Sequence, residues 1–417
     1  MELLRIATAG SVDDGKSTLI GRLLYDSQSV YDDDLAAIER ASSLRGDDYV
    51  DLALLSDGLR AEREQGITID VAHRYFATPR RKFIVADTPG HVQHPRNMVT
   101  GCSTADLVLI LVDARHGITE QTRRHASIAS LLGIGHMVIC VNKMDLVDYE
   151  ERRYDEIRAE FEGFASLLEI ADVTFIPVSA LHGDNVVERS VEMPWYEGAS
   201  LLHHLEEVHV AGDRDLEDLR LPVQWVVRPR SAEWNDFRGY AGTLAGGILA
   251  PGDEVTVLPG GETTRVVAIE SADGPIKEAF PPMSVIVRLA DDLDVARGDR
   301  ICGSGTNPTV AQEISAMVCW MDQSPLRAGA RLYLKHTSRW TRGIVDRVEY
   351  RLDVNSLGRV RGVAGLDLND IGLVDLRVAA PLFFDDYRRN RATGSLILVD
   401  EATSRTVGAG MIAGTAA

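Results

Sequence analysis

Gly10-Ser11-Val12-Asp13-Asp14-Gly15-Lys16-Ser17 sets two glycines, a lysine and a hydroxyl at the G-x-x-x-x-G-K-[ST] spacing of a phosphate cradle. Glycines let backbone N–H groups close around negative charge, and a helix starting near Lys16 points its positive end the same way. Lys16 reaches β- and γ-phosphates, and Ser17 offers a hydroxyl to Mg²⁺. Ser11, Asp13, Asp14 and Thr18 complete the cradle. Three further stations follow in order. Asp87-Thr88-Pro89-Gly90-His91 comes directly after an apolar run, placing Asp87 to hold the metal through water and the Gly90 N–H at the γ-phosphate. Asn142-Lys143-Met144-Asp145 offers an acidic group that accepts the guanine N1 and N2 protons in a bidentate contact. Adenine lacks that donor pair, so Asp145 selects the base. Ser179-Ala180-Leu181 completes the base pocket through its backbone.

Each tetrapeptide alone is compatible with an ordinary surface turn. Four in this order, each at the end of an apolar run, predict a site for GTP and GDP. Between the first two stations lies Glu62-Arg63-Glu64-Gln65-Gly66-Ile67-Thr68-Ile69, a polar segment able to fold over the nucleotide. Thr68 is expected to give its hydroxyl to Mg²⁺ and its N–H to the γ-phosphate, so loss of that phosphate would release the segment. Hydrolysis needs a group that orients the attacking water, and His91, beside Gly90, is the catalytic candidate. His94 and the pair His203-His204 have no metal-ligand spacing and read as surface or packing histidines.

The elements that position these residues alternate as a parallel α/β sheet requires. Phe83-Ile84-Val85-Ala86, Leu107-Val108-Leu109-Ile110-Leu111-Val112, Met137-Val138-Ile139-Cys140-Val141 and Val173-Thr174-Phe175-Ile176-Pro177-Val178 are continuous apolar runs, suited to strands buried on both faces. After the acidic stretch 212–218 the pattern changes to short alternating strands with Gly and Pro turns. Glu254-Val255-Thr256-Val257-Leu258, closed by Pro259-Gly260-Gly261, reads as one arm of a hairpin. A second break falls near residues 303–308. The expected architecture is therefore an α/β P-loop GTPase domain, with a mostly parallel sheet and helices on both faces, over residues 1–210. Two all-β barrels follow over 221–306 and 309–414.

At 417 residues the chain exceeds what one core organises, which supports two or three domains. No run approaches the roughly 18 apolar residues of a membrane span, and Leu3-Leu4-Arg5-Ile6 reads as a first strand rather than a signal peptide. Cys102, Cys140, Cys302 and Cys319 are too far apart for metal or redox pairing, and a reducing cytoplasm is the expected location. The net charge of -19 argues against nonspecific nucleic-acid binding, so nucleic acid is not expected as a partner. Arg388-Arg389-Asn390-Arg391 is a candidate for a local basic face and reads as solvated surface.

Taken together, the stations resemble the translation-factor class of GTPases over nearly the whole chain, Ala245 to Val255 and Val295 to Asp299 looking like that class's second domain. Finer text distinguishes the subfamily. Elongation factors usually carry His-Val-Asp-His-Gly-Lys in the phosphate loop, where this chain has Ser11-Val12-Asp13-Asp14-Gly15-Lys16. With Leu19-Ile20-Gly21-Arg22-Leu23-Leu24-Tyr25-Asp26, residues 57–71 and Gln121-Thr122-Arg123-Arg124-His125, the chain resembles subunit 1, the large GTPase subunit, of sulfate adenylyltransferase. That resemblance implies a partner, the small catalytic subunit (subunit 2), which makes adenosine 5′-phosphosulfate and pyrophosphate from ATP and sulfate. It implies also that GTP hydrolysis here drives that uphill step through switch segments touching the partner. The chain has no Ser-Gly-Gly-x-Asp-Ser loop for adenylylation and no second phosphate loop after residue 205, so a separate subunit and a piece of a fusion with adenylylsulfate kinase both remain open. One departure stands out. The family commonly reads Gln-Tyr-Thr-Arg-Asn-Met after the His, and here Gln93-His94-Pro95-Arg96-Asn97-Met98 appears; Pro95 is tolerated only near a helix start, where it would fix the beginning of the second switch helix. An RNA-carrying translation factor is the competing reading, disfavoured by Asp13-Asp14 and the subfamily phrases. An ATP-driven motor is disfavoured by Asn142-Lys143-Met144-Asp145.

Overall fold

The computed structural model describes residues 2–27, 52, 71–89, 95–168, 170, 172–210, 215–229, 237–353 and 356–416. Thr68, Gly90 and His91 lie outside them. Two compact units form, with the boundary after residue 210.

The first unit is built on six strands: β1 (Leu3–Ala9), β2 (Ala72–Ala77), β3 (Lys82–Asp87), β4 (Leu107–Asp113), β5 (His136–Asn142) and β6 (Asp172–Pro177). Their order is β2-β3-β1-β4-β5-β6, all parallel except the edge strand β2, which runs against β3. Parallel strands need helical crossovers, and helices at Lys16–Asp26 (α1), Pro95–Cys102, Glu120–Leu131 and Glu151–Ala165 supply them. Both sheet faces are covered. Ile6, Leu109, Val138, Cys140 and Ile176 pack into one core with Leu19, Ile20 and Leu23 of α1 and with Leu201 and Leu205 from the helix Leu201–Glu207. The alternate residues Val108, Ile110, Val112, Ile139 and Val141 are equally buried on the other side. That explains the unbroken apolarity of these strands. Pro95 is the first described residue of its helix, a place where a residue without an N–H is tolerated.

Register carries the chemistry to one edge. Thr8 pairs with Asp87, Asp113 with Asn142, and Val141 with Pro177, so the carboxyl ends of β1, β3, β4, β5 and β6 line up. Open α/β sheets bind ligands along that edge.

Among the described residues the second unit holds two large antiparallel sheets and a two-stranded one, in which residues 326–327 pair with 365–366. In the first, 254–258 pairs with 262–271 as the expected hairpin, Val257 opposite Glu262. The stretch 220–227 closes this sheet into a barrel: residues 220–222 pair with 300–303, and residues 225–227 pair with 239–243. The second sheet closes through strands 331–336 and 339–352, which pair with each other as well as with their other neighbours. Each barrel has its own apolar core, one around Leu221, Val255 and Ile301, the other around Ile314, Val374 and Leu398.

A buried polar cluster links the two barrels. Arg220, 2% exposed, donates from Nε and Nη2 to the two carboxylate oxygens of Asp385, each at 2.9 Å, and Thr393 Oγ1 donates to Asp385 at 2.7 Å. Arg300, equally buried, lies 3.9 Å from the same carboxylate, and burial pulls its guanidinium down to about 10. The Arg388–Arg391 stretch is only partly free surface, because Arg389 forms an ion pair with the buried Asp218. All four cysteines are free and buried, and burial pushes the Cys140 thiol up to about 12. Among the described residues no helix is long and apolar enough to cross a membrane.

Candidate nucleotide site

The loop after β1 is shaped by two left-handed residues, Asp13 at φ 72° and Gly15 at φ 90°. Gly15 must be glycine twice over, because a methyl there would also run into the side-chain amide of Asn142. Asp14 folds back so that its carboxylate accepts the Ser11 N–H; burial raises its pKa, and that hydrogen bond and Lys16 oppose the rise. Lys16 begins α1 and is buried, donating to the carbonyls of Gly10 at 3.0 Å and Ser11 at 2.8 Å. Burial lowers its pKa, while Asp87 and Asp14 favour the charged form. Ser17 and Thr18 follow in the first turn of α1, half-buried beside the loop.

Asn142, at the end of β5 and 2% exposed, joins the two loops that a nucleotide would span. Its Nδ2 donates to the Asp14 carbonyl at 2.8 Å, and its Oδ1 accepts the Ala180 N–H at 3.0 Å. Lys143 is left-handed at φ 62°, donates to the Asp13 carbonyl, and pairs with Asp113 at 3.0 Å. Ser179, fully buried, donates from its hydroxyl to Asp145 Oδ1 at 2.6 Å, which fixes the orientation of that carboxylate. Leu181 follows in the same turn. At the carboxyl ends of β1 and β3, Asp87 is 1% exposed and accepts a hydrogen bond from Thr8 Oγ1 at 3.1 Å, while Thr88 donates to the Thr8 carbonyl at 2.5 Å.

The structure thus gathers Gly10, Ser11, Asp13, Asp14, Gly15, Lys16, Asn142, Lys143, Asp145, Ser179, Ala180 and Leu181 into one hydrogen-bonded assembly, with Asp87, Ser17 and Thr18 adjoining it. Sequence reasoning missed Asp113, Thr8 and Arg22. Asp113 is buried at the end of β4; burial raises its pKa, but the hydrogen bonds from Arg115 and Lys143 outweigh that and hold it below the usual carboxylate range. Its signal was available, since it closes an apolar run as Asp87 does. Arg22 donates to the carbonyls of Ala180 and Leu181 from a helix more than 150 residues earlier, which no local pattern announces. His203 pairs with Glu207 at 3.3 Å on an exposed helix face, and no group of His, Cys, Asp or Glu among the described residues has the arrangement of a dedicated metal cage.

Residues 1–212 match the family of the Elongation factor Tu GTP binding domain, and residues 313–413 match the GTP-eEF1A C-terminal domain-like family. The chain is 60% identical over 411 residues to the bifunctional enzyme CysN/CysC of Mycobacterium tuberculosis, a match covering 98% of this chain and 67% of that one. It is 52% identical over 413 residues to sulfate adenylyltransferase subunit 1 of Bacteroides fragilis, covering 99% of this chain and 86% of that one. Among solved structures, the Saccharomyces cerevisiae Ski7 GTPase-like domain bound to GDP and inorganic phosphate superposes with a TM-score of 0.53 at 18% identity, covering 99% and 97% of the two chains; this is a likeness of fold. With an α/β GTPase domain followed by β-barrels and a half-identical, nearly full-length relative, the chain belongs to the family of sulfate adenylyltransferase subunit 1.

Proposed function

We propose that this chain is the regulatory GTPase subunit of sulfate adenylyltransferase, in which GTP hydrolysis drives a small catalytic subunit to form adenosine 5′-phosphosulfate and pyrophosphate from ATP and sulfate. The nucleotide half of this reading is carried by Asn142, whose two ends tie the phosphate loop to the base loop. The sulfate half is carried by the relation to subunit 1 over nearly the whole chain.

Lys16 and the N–H groups of the Gly10–Ser17 loop bind the phosphates, and the α1 N-terminus adds its positive end. Asp145, aimed by Ser179, reads guanine N1 and N2, and Leu181 completes the pocket. The donors at the metal end fit Mg²⁺: all are oxygens, and Asp87 is a buried carboxylate already aligned by Thr8. Ser17 and Thr68 would hold the ion directly and Asp87 through water, and the ion would neutralise charge on the phosphates. Gly90 gives its N–H to the γ-phosphate, and His91 orients the attacking water. The domain limits 1–210, 221–306 and 309–414 belong to the same proposal, as does a cytoplasmic location.

Two experiments test the two halves. His91→Ala should bind GTP normally and hydrolyse it at least about a hundredfold more slowly, the usual size of a general-base or water-positioning contribution; an unchanged rate would remove His91 from the mechanism. Phosphate release from GTP should rise when the small subunit, ATP and sulfate are added together. Indifference to all three would contradict the coupling.

A further inference from the structure

The subfamily phrase Leu19 to Asp26 lies on α1, and the contacts of Arg22 to the Ala180–Leu181 turn have so far been given no functional task. The Arg22 side chain is 19% exposed and fixed from several sides: Asp26 lies 3.4 Å away at the next turn, and Tyr25 sets its ring 5.7 Å beneath the guanidinium. So held, Arg22 donates from Nε to the Ala180 carbonyl at 3.3 Å and from Nη2 to the Leu181 carbonyl at 2.5 Å. Gly183, left-handed at φ 88°, brings the loop down onto the Arg22 stem and Asp26.

Peptide planarity turns this grip into a statement about the base. The Ala180 carbonyl and the Leu181 N–H belong to one trans peptide, so fixing the carbonyl towards Arg22 points the N–H the opposite way. The Ala180 N–H is already engaged by Asn142 Oδ1, which leaves the Leu181 N–H as the donor of this turn for a ligand. Guanine presents O6, an acceptor, beside the N1 proton assigned to Asp145. We propose that Arg22 is a positioning residue for guanine recognition: it holds the Ala180–Leu181 peptide so that the Leu181 N–H meets O6.

The proposal rests on the guanine-nucleotide reading, and the ligands of the test separate the two. The wild-type protein, Arg22→Ala and Arg22→Lys are titrated with GDP, with IDP, which lacks the N2 amine but keeps O6, and with 6-thio-GDP, which replaces O6 by a larger, weaker acceptor. Arg22→Ala should weaken GDP and IDP by about tenfold, the scale of one hydrogen bond to a held donor, and 6-thio-GDP by less than about threefold. The preference for GDP over 6-thio-GDP therefore shrinks while the preference for GDP over IDP stays. Arg22→Lys, which keeps the charge and one donor, should fall between, and it preserves the comparison if the alanine variant fails to fold. Equal losses for all three ligands would mean a merely structural role and overturn the inference, as would no loss at all. A wild-type protein that binds IDP as well as GDP would instead contradict the guanine reading itself.

Discussion

Replacing Asn142 by alanine should separate the two halves of the nucleotide site without disturbing β5. The side chain is 2% exposed, and its removal strands the Asp14 carbonyl and the Ala180 N–H, which it holds at 2.8 Å and 3.0 Å. A buried polar group left without its partner costs about 1–3 kcal/mol, and two such groups in loops able to relax partly give a combined penalty of about 2–4 kcal/mol. Nucleotide binding must then rebuild the arrangement that Asn142 maintains, so the penalty falls on affinity. At 1.4 kcal/mol per tenfold it corresponds to a loss of about thirtyfold to a thousandfold in GDP binding. The loss should lie mainly in dissociation, because the encounter with the loop is unchanged. Equilibrium titration of a fluorescent GDP analogue, with stopped-flow displacement for the off-rate and circular dichroism for the fold, measures all of this. A folded Asn142→Ala protein binding GDP within about threefold of the parent would refute the view that the two loops are held together by this residue.

Three further outcomes follow from the geometry. Asp145→Asn exchanges an acceptor for a mixed amide, so competition binding should shift the guanine-over-xanthine preference by about 1.5–3 kcal/mol towards xanthine, the scale of hydrogen bonds to a charged group. Asp385→Ala removes the bidentate partner of the buried Arg220 guanidinium, leaving Asp218 at 4.0 Å as its nearest carboxylate, and denaturant unfolding should register a loss of about 3 kcal/mol. His336 is buried and donates from Nε2 to the Thr393 carbonyl at 2.7 Å; burial first, then Arg300, lowers its pKa to about 3 from the ordinary 6.5. The unfolded chain therefore takes up the proton first, so stability is intact above about pH 6.5 and falls as pH drops towards 3, by about 1.4 kcal/mol per pH unit from this residue. His336→Gln, which keeps a donor but does not titrate, should flatten the acid limb of thermal unfolding.

The parts legible in sequence were those written locally. β3, β4, β5 and β6 appeared as unbroken apolar runs because both faces of the sheet are covered, and each station was recognisable because it closes such a run. β2 escaped notice: Ala72–Ala77 is a partly exposed edge strand, mixing polar and apolar residues with no clear period. The structural groups of the site were less visible than its ligand-facing ones. Arg22 and Leu181 are separated by 159 residues, and Arg220 and Asp385 by 165. A side chain whose partner is a distant backbone carbonyl, or a carboxylate in another barrel, leaves no spacing to read. Arg388 and Arg389 are exposed, as the solvated-surface reading expects, and only the fold shows that Arg389 also pairs with the buried Asp218.

The central claim is that energy from GTP on this chain is delivered to adenylyl transfer on the partner. The direct measurement mixes the chain with its cognate small subunit, ATP, sulfate and pyrophosphatase-free buffer, and follows adenosine 5′-phosphosulfate and pyrophosphate to completion with and without GTP. Because the ATP and sulfate reaction is strongly uphill alone, the account predicts that GTP carries product well past the level reached without it, and that this excess disappears with a nonhydrolysable GTP analogue or with His91→Ala. The same end point with and without GTP, reached while GTP is being hydrolysed, would contradict it.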